Sequence, residues 1–340
     1  MPTRKDVAQR AGVSEATVSY ALSGKRTISQ ATRERVFEAM RELDYRPNLM
    51  AQALAGGSSS IIALLFPSQE RGISNADLEY VLGAASAARE LGYHLLLWPT
   101  EDRDVSDVAS LFQAGLIGGV LLMEVRMKDE RLRTLGKAGV PVGLIGRTGA
   151  KSDAAIAADR DFQAAMLKAT QYLVGLGHTR IGYLSGPQRN IDLKLGAPVR
   201  AENGFRSALE ATGTTGAVVY CESTIEAGRE ALGRLSADAP GCTALICLNV
   251  EATIGLMQEA IEQGVHIPED LSIVSIGTPE DFASATTPAI TTISSPAEQI
   301  GRTAARLLIR SIAGLELPPE QQLWVGELAV RASSGPAPLP

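Results

Sequence analysis

From about residue 60 the sequence alternates short, unbroken apolar runs with helix-length segments, and it does so in two series. The first contains "SIIALLFP", a helix around 77–91, "YHLLLWP", a helix near 105–115, "GGVLLM" and "VPVGLIG". The second contains a helix over 161–176, "RIGYLSG", a helix over 199–212, "AVVYC", a helix over 225–236, "ALICLN", a helix over 250–263 and "LSIVSIG". A strand apolar at every position must be buried on both faces, which places it in a parallel sheet with helices on either side. The expected fold is therefore α/β, with a two-lobed body whose halves divide near Asp159. "TTISSP" near 291 is expected to cross back to the first lobe, and "LWVGELAVR" to return to the second. The two series share an architecture without repeating a sequence.

The first sixty residues follow another pattern. Val7, Ala8 and Ala11 define a short helix ended by Gly12. Ser14 is placed to cap a second helix and Gly24 to close it. That second helix has a narrow apolar stripe, Val18, Ala21 and Leu22. Its other face is small and hydroxyl-rich: Ala16, Thr17, Ser19, Tyr20 and Ser23. Ser29 is placed to cap a third helix with Val36, Met40 and Leu43 on its core face. Three short helices with a three-residue turn at Gly12 form a helix-turn-helix arrangement, in which the second helix enters the DNA major groove. A small polar face suits the close approach of base edges and phosphates. A three-helix bundle that never meets nucleic acid is the competing reading. Charge favours the first: residues 1–60 hold nine Lys/Arg against six Asp/Glu, leaving 23 against 32 elsewhere in a chain of net charge −6. A basic head on an acidic body suits a polyanionic partner for the head alone.

After Tyr45, Arg46-Pro47 is expected to break the third helix. Asn48 then caps a segment, Leu49–Ala55, barely two turns long before "GGSSS". A helix that short is unstable alone in water and should order only against a partner, a symmetry mate or DNA. Leu54 on it suits a wedge driven between base pairs from the minor groove. The alternative is a linker leucine touching the next domain.

Other chemistries find little support. No "GxGxxG" or "GxxxxGK[ST]" follows a strand, and no "GxSxG" occurs. His94, His178 and His266 are scattered, without ligand spacing to carboxylates or thiols, and His178 in "GLGHTRIGY" reads as a structural turn residue. Cys221, Cys242 and Cys247 are odd in number and sit in apolar contexts, as buried thiols of a reducing compartment do. No metal, cofactor or catalytic role is expected. No apolar run reaches about 18 residues and no signal peptide precedes the first helix, so the expected location is cytoplasmic, at the nucleoid, without membrane contact.

The stretches "DVAQRAGVSEATVSYALSG", "ISQATRERVFEAMRELDYRPNLMAQALAG", "GHTRIGYLSGP", "GFRSALEATG", "GVHIPEDLSIVSIG" and "PAITTI" together resemble the LacI/GalR (lactose/galactose repressor) family of bacterial transcription factors. They run in family order from about residue 3 to 331. The resemblance implies a helix-turn-helix head (1–46), a hinge helix and linker (47–59), and a body like that of periplasmic sugar-binding proteins. The body's N-terminal lobe would be 60–159 plus 291–322 and its C-terminal lobe 160–290 plus 323–335, with a tail at 336–340. That tail, within "SSGPAPLP", has no heptad leucines, so a coiled-coil tetramer is not expected. Carried over by position, Thr17, Ser19, Ser29 and Thr32 contact phosphates, while Glu15, Ala16 and Tyr20 face base edges. Asn48, Ala51 and Leu54 belong to the hinge helix. Thr3, Arg4, Lys5, Ser14, Ser23 and Gln52 complete the expected DNA-facing set. Family members commonly have Arg where this chain has Tyr20, so its operator half-site is expected to differ there, with Glu15 accepting from a cytosine amino group.

The cleft between lobes departs further from the family. Asn249-Val250 stands where Asn-Asp is usual, Gly277-Thr278 where two Asp are, Thr224 where an aromatic platform is, and Ser295 where Gln is. The usual ligand Arg slot holds Ala201, with Arg200 one position away, while Arg147 in "GLIGR" is retained. Sugars are normally held by carboxylates with an aromatic beneath the ring, and most of that equipment is missing. Arg147, Arg200, Asn249, Thr224, Thr278 and Ser295 are the expected effector-binding residues. The implied protein is a homodimeric repressor binding a pseudo-palindromic double-stranded DNA operator. Its small-molecule effector would be something other than an ordinary neutral sugar. Alternatives are a ligand-independent regulator, a binding protein without a DNA role, and an enzyme.

Overall fold

The computed structural model describes residues 2–23, 28–45, 59–67, 75–100, 105–150, 156–294, 296–317 and 321–339. The side chains of Leu22 and Ser23, together with Gly24, Arg46, Pro47, Asn48, Ala51, Gln52, Leu54 and Ser295, lie outside what is described.

The head holds α1 (Arg4–Ala11), α2 (Glu15–Ser23) and α3 (Gln30–Glu42). Each begins on a hydroxyl cap. Thr3 Oγ1 accepts from the Asp6 amide while an Asp6 carboxylate oxygen accepts from the Thr3 amide at 2.7 Å, a reciprocal capping box. Ser14 Oγ accepts from the Thr17 amide at 3.1 Å, and Ser29 Oγ from the Thr32 amide at 3.2 Å. Gly12 ends α1 in the left-handed region (φ 66°), which lets the Val13 amide reach back to the Ala8 carbonyl at 3.0 Å. Val7, Ala8, Ala11, Val18, Ala21, Val36 and Ala39 form the core.

The third helix does not run on to Arg46-Pro47. It stops at Glu42, where Asp44 takes a left-handed conformation (φ 43°) and the Tyr45 amide donates to the Met40 carbonyl at 2.9 Å. Tyr45 and Leu43 then pack on the head core, so the stop is a local backbone closure with an apolar contact.

The body holds two six-stranded sheets among the described residues. The first is built from β1 (Ile61–Pro67), β2 (His94–Thr100), β3 (Gly119–Leu122), β4 (Val142–Ile145), β5 (Ile156–Arg160) and β11 (Gln322–Trp324), in the order β11-β5-β4-β3-β1-β2. The second is built from β6 (Ile181–Ser185), β7 (Val218–Tyr220), β8 (Ala244–Cys247), β9 (Ser272–Ile276), β10 (Thr291–Ser294) and β12 (Glu327–Ala329), in the order β12-β10-β9-β8-β6-β7. Strands β6 to β10 pair in parallel, and β12 runs antiparallel to β10.

The helices of the body are α4 (Asn75–Glu90), α5 (Val105–Gln113), α6 (Glu130–Lys137), α7 (Phe162–Gly175), α8 (Gln188–Asp192), α9 (Gly196–Thr212), α10 (Ile225–Asp238), α11 (Val250–Glu262), α12 (Glu280–Ala285) and α13 (Ala297–Ile312). They explain the unbroken apolar runs. In the second sheet, Leu245 and Ile273 face Leu232 and Leu256 on one side, while the next residues, Ile246 and Val274, face Met166 and Phe205 on the other. Alternate residues of a strand point to opposite faces, so a sheet covered twice needs an apolar residue at every position.

Three details differ from the sequence reading. β5 is a strand, although "IAADR" has little β-branched character. Its five residues are all buried, and the partners β4 and β11 hold it extended. β10 belongs to the second sheet, so the crossing to the first lobe falls at the end of "TTISSP", between Ser294 and α13, a few residues past the expected boundary at 291. β11 remains in the first sheet, with Leu323 opposite Asp159, so the return falls within "LWVGELAVR", between Trp324 and Glu327, just past the expected boundary at 323. The C-terminal residues are tied down past 335: Ser333 Oγ donates to the Ile273 carbonyl at 2.6 Å, and the Ala337 amide to the Leu176 carbonyl at 2.9 Å.

Candidate nucleic-acid interface and effector cleft

The described DNA-facing candidates all avoid the head core. Thr3, Lys5, Ser14, Glu15, Ala16 and Ser29 are exposed, and Arg4, Thr17, Ser19, Tyr20 and Thr32 are half-buried. Two of the three helix starts share one device. Ser14 and Thr17 hydroxyls meet at 2.9 Å at the start of α2, and Ser29 and Thr32 hydroxyls at 2.8 Å at the start of α3. Each pair stands beside freed backbone N–H groups and the positive end of a helix dipole, an arrangement that receives phosphate oxygens. The Asp6 carboxyl is held below the usual carboxylate range, first by the Thr3 amide and then by its hydroxyl.

In the body, a cavity of about 410 Å³ opens at the carboxyl ends of strands from both sheets. Its wall includes Met123 after β3, Gly146 and Arg147 after β4, and Asp159 and Arg160 at the end of β5. Gly186 after β6, Asn249 after β8 and Gly277 after β9 complete the ring. The ends of parallel strands leave no side chain of their own layer to fill that space, which is why ligands of open α/β sheets bind there.

Asp159, 6% exposed, is the electrostatic centre of one end. Arg147 Nε donates to it at 3.2 Å and Arg200 Nη1 lies 3.7 Å away. Arg200 Nη2 also donates to the carbonyls of Arg147 and Thr148, at 2.6 and 2.7 Å. Burial pushes the Asp159 carboxyl up, against the pull of Arg200 and Arg147, and burial draws Arg200 down. For both partners desolvation outweighs attraction, as is common for ion pairs taken out of water.

Of the six expected effector-binding residues, Arg147, Arg200 and Asn249 line the cavity. Asn249 caps α11 through its carbonyl oxygen and donates Nδ2 to Ser223 Oγ at 2.9 Å. Thr224 is not on the wall. It caps α10 by accepting from the Ala227 amide at 3.1 Å, while its neighbours Ser223 and Ile225 reach the cavity. Thr278 is not on the wall either. It is 1% exposed and its hydroxyl meets Ser275 at 2.5 Å, leaving Gly277 and Pro279 to face the space.

The sequence reading missed Arg160. Its guanidinium lies 5.5 Å from the centre of the Phe162 ring, against the backbone of Gly277. Gly277 has φ 90°, and a Cβ there would lie 2.9 Å from the Arg160 Cζ and overlap Nη1. The only hint in the sequence is an arginine ending an alanine-rich strand. His178 is structural: Nε2 donates to the Gly335 carbonyl at 3.1 Å and Nδ1 accepts from Thr243 at 2.9 Å, and burial lowers its pKa. Burial also raises all three thiols, Cys247 to about 12. No group of His, Cys, Asp or Glu among the described residues is placed to hold a metal, and no described helix is long and apolar enough to cross a membrane.

A helix-turn-helix head with a small-faced second helix, joined in one chain to a two-sheet body with a cleft, defines the class of ligand-responsive transcriptional regulators. Comparison with known proteins agrees. The pattern described as bacterial regulatory proteins, lacI family, matches residues 3–48, and that of the periplasmic binding protein-like domain matches residues 170–334. The HTH-type transcriptional regulator AglR of Rhizobium meliloti (strain 1021) is 32% identical, over 98% of this chain and 94% of its own. MalR of Streptomyces coelicolor (strain ATCC BAA-471 / A3(2) / M145) is likewise 32% identical, over 99% and 98%. Among solved structures, a transcriptional regulator CelR–cellobiose complex superposes with TM-score 0.71 at 29% identity, covering 98% of this chain and all of that one (100%). The lac repressor dimer bound to operator and the anti-inducer ONPF has TM-score 0.81 at 24% identity, over 98% and 99%, a likeness of fold. The chain belongs to the lacI family of bacterial regulatory proteins, as a transcriptional regulator with an effector-binding body.

Proposed function

We propose that this regulator binds a pseudo-palindromic DNA operator as a homodimer and acts as a repressor, with its affinity set by a small molecule in the interlobe cavity. The observation that carries this is the cavity of about 410 Å³ at the strand ends of both sheets, in a chain whose head presents a capped, small-faced second helix. The proposed organisation is a head (1–46), a hinge (47–59) and two lobes, with α2 in the major groove. Glu15, Ala16 and Tyr20 would read base edges, and Thr17, Ser19, Ser29 and Thr32 would hold phosphates. Two half-sites about one helical turn apart would match a two-fold protein.

Exposed apolar residues support pairing of two copies. Leu78 and Leu82 on α4, and Leu96 and Leu97 on the edge strand β2, are 38–57% exposed on one lobe. The relatives are regulators, and the proposed role is regulatory rather than enzymatic, in the cytoplasm where the DNA lies. Ligand-induced coupling to DNA affinity is expected at about 1–3 kcal/mol.

The test is selection of genomic fragments by purified full-length protein, followed by gel shifts at rising salt and light scattering of the free protein. Two-fold symmetric sites, steep salt dependence and a dimeric mass are expected. Failure to retain any duplex at low salt refutes the reading. A monomeric mass with intact DNA binding refutes the dimer alone.

A further inference from the structure

The wall of the cleft holds a cation that finds no acceptor among the described residues. Arg160 is 7% exposed, and its Nε has no hydrogen-bond partner among the described residues. Among the described residues no ion pair engages the guanidinium, which rests against the Phe162 ring and the backbone of Gly277 with its charge felt by Asp159 and Tyr80. The adjoining carboxylate, Asp159, takes the Arg160 backbone amide at 2.8 Å but spends its side-chain pairing on Arg147 and Arg200. Two guanidinium groups thus pair with Asp159, and the third, that of Arg160, pairs with none of the described carboxylates. Of the other acids on the wall, Asp77 and Glu124 have partners of their own, and Glu251 stands in the first turn of α11. Glu79 on α4 feels the field of Arg160 but forms no ion pair with it.

A buried cation with no acceptor is costly to maintain. A guanidinium has a rigid fork of donors matched to the two oxygens of a carboxylate or phosphate. Gly277 is what makes room for it, since any side chain at that φ would be strained and would expel the guanidinium. Taking the interlobe cavity as the effector site, the geometry points to an effector that carries an oxyanion, a carboxylate or phosphate on a small hydroxylated molecule, with Arg160 as its anchor. Ser223 and Asn249 on the second lobe remain for hydroxyl groups. Arg160 ends a strand of the first lobe while Phe162 and Gly277 belong to the second, so the anion would be gripped where the lobes meet.

The experiment uses full-length protein and inorganic phosphate as the probe, at constant ionic strength against chloride, with the thermal midpoint as readout. Phosphate should raise the wild-type midpoint, and Arg160→Gln should weaken that response by about tenfold to a hundredfold. Arg160→Gln by itself should unfold close to wild type, because losing the contact with Phe162 is offset by removing a poorly paired buried charge, while Arg160→Lys should keep part of the response. Glucose 6-phosphate and glucuronate, set against neutral glucose and cellobiose, distinguish a phosphate from a carboxylate source.

An equal response of wild type and Arg160→Gln to phosphate overturns the proposal, as does the absence of any response to the three anions. Gel shifts with operator separate it from the regulatory reading. A neutral sugar that alters operator affinity equally in both proteins sinks the anion and leaves the cleft as effector site. Anion binding through Arg160 that leaves operator affinity unchanged does the reverse.

Discussion

Placing a methyl group at Gly277 tests whether Arg160 and Gly277 act as one unit. The residue sits at φ 90°, where an L side chain is strained by about 1–2 kcal/mol. The new Cβ would also stand 2.9 Å from the Arg160 Cζ and 3.3 Å from Nη2, and would overlap Nη1, so the guanidinium must retreat. Retreat sacrifices its place 5.5 Å over Phe162, a desolvated cation–π contact valued at about 1–2 kcal/mol. Gly277→Ala is therefore expected to destabilise the second lobe by about 2–4 kcal/mol. In an Arg160→Ala background the steric part disappears, and the same change should cost only the backbone strain of about 1–2 kcal/mol. The assay is urea denaturation of the four proteins of the cycle. A coupling below about 0.5 kcal/mol, which counts as additivity, would refute the claim that the guanidinium rests on this glycine.

The other expectations concern the head and the second lobe. Ser29→Ala removes the cap of α3 and should cost the head about 1 kcal/mol, read by thermal unfolding monitored by circular dichroism, with a weaker operator complex. Tyr20→Arg should redirect half-site choice toward guanine by about 1–3 kcal/mol, measured by selection from randomised duplexes; an unchanged consensus would remove Tyr20 from base reading. His178 has its folded-state pKa lowered by burial, so its neutral form stabilises the fold. That stability is present above the unfolded value near 6.5 and is lost as pH falls through the lowered one. Thermal midpoints between pH 5 and about 8 should decline on the acid side for wild type and stay flatter for His178→Gln.

Local signals carried much of the fold. Ser14 and Ser29 cap the helices they precede because a hydroxyl needs only the amides of the next turn. Gly12 ends α1 because its own φ allows it. The unbroken apolar strands announced a doubly covered parallel sheet, since burial on both faces constrains every residue. Where a segment lacked its own preference the reading failed. "IAADR" becomes β5 only because β4 and β11 flank it, and α3 ends at Glu42 because the chain closes back at Asp44 and Tyr45 finds the head core.

The site divided in the same way. Arg147, Arg200 and Asn249 could be placed on the cleft through the family resemblance. Whether a threonine faces that cleft could not, because Thr224 turns to its helix amides and Thr278 to the Ser275 hydroxyl. Arg160 was invisible for a related reason: its setting depends on a glycine more than a hundred residues away. Most elements, their alternation and the family were legible in the chain, because caps and periodic burial act over a few residues. Which polar groups meet in the cavity, and which cation there finds no acceptor among the described residues, followed from packing, because desolvation and pairing are properties of groups brought together from distant strands.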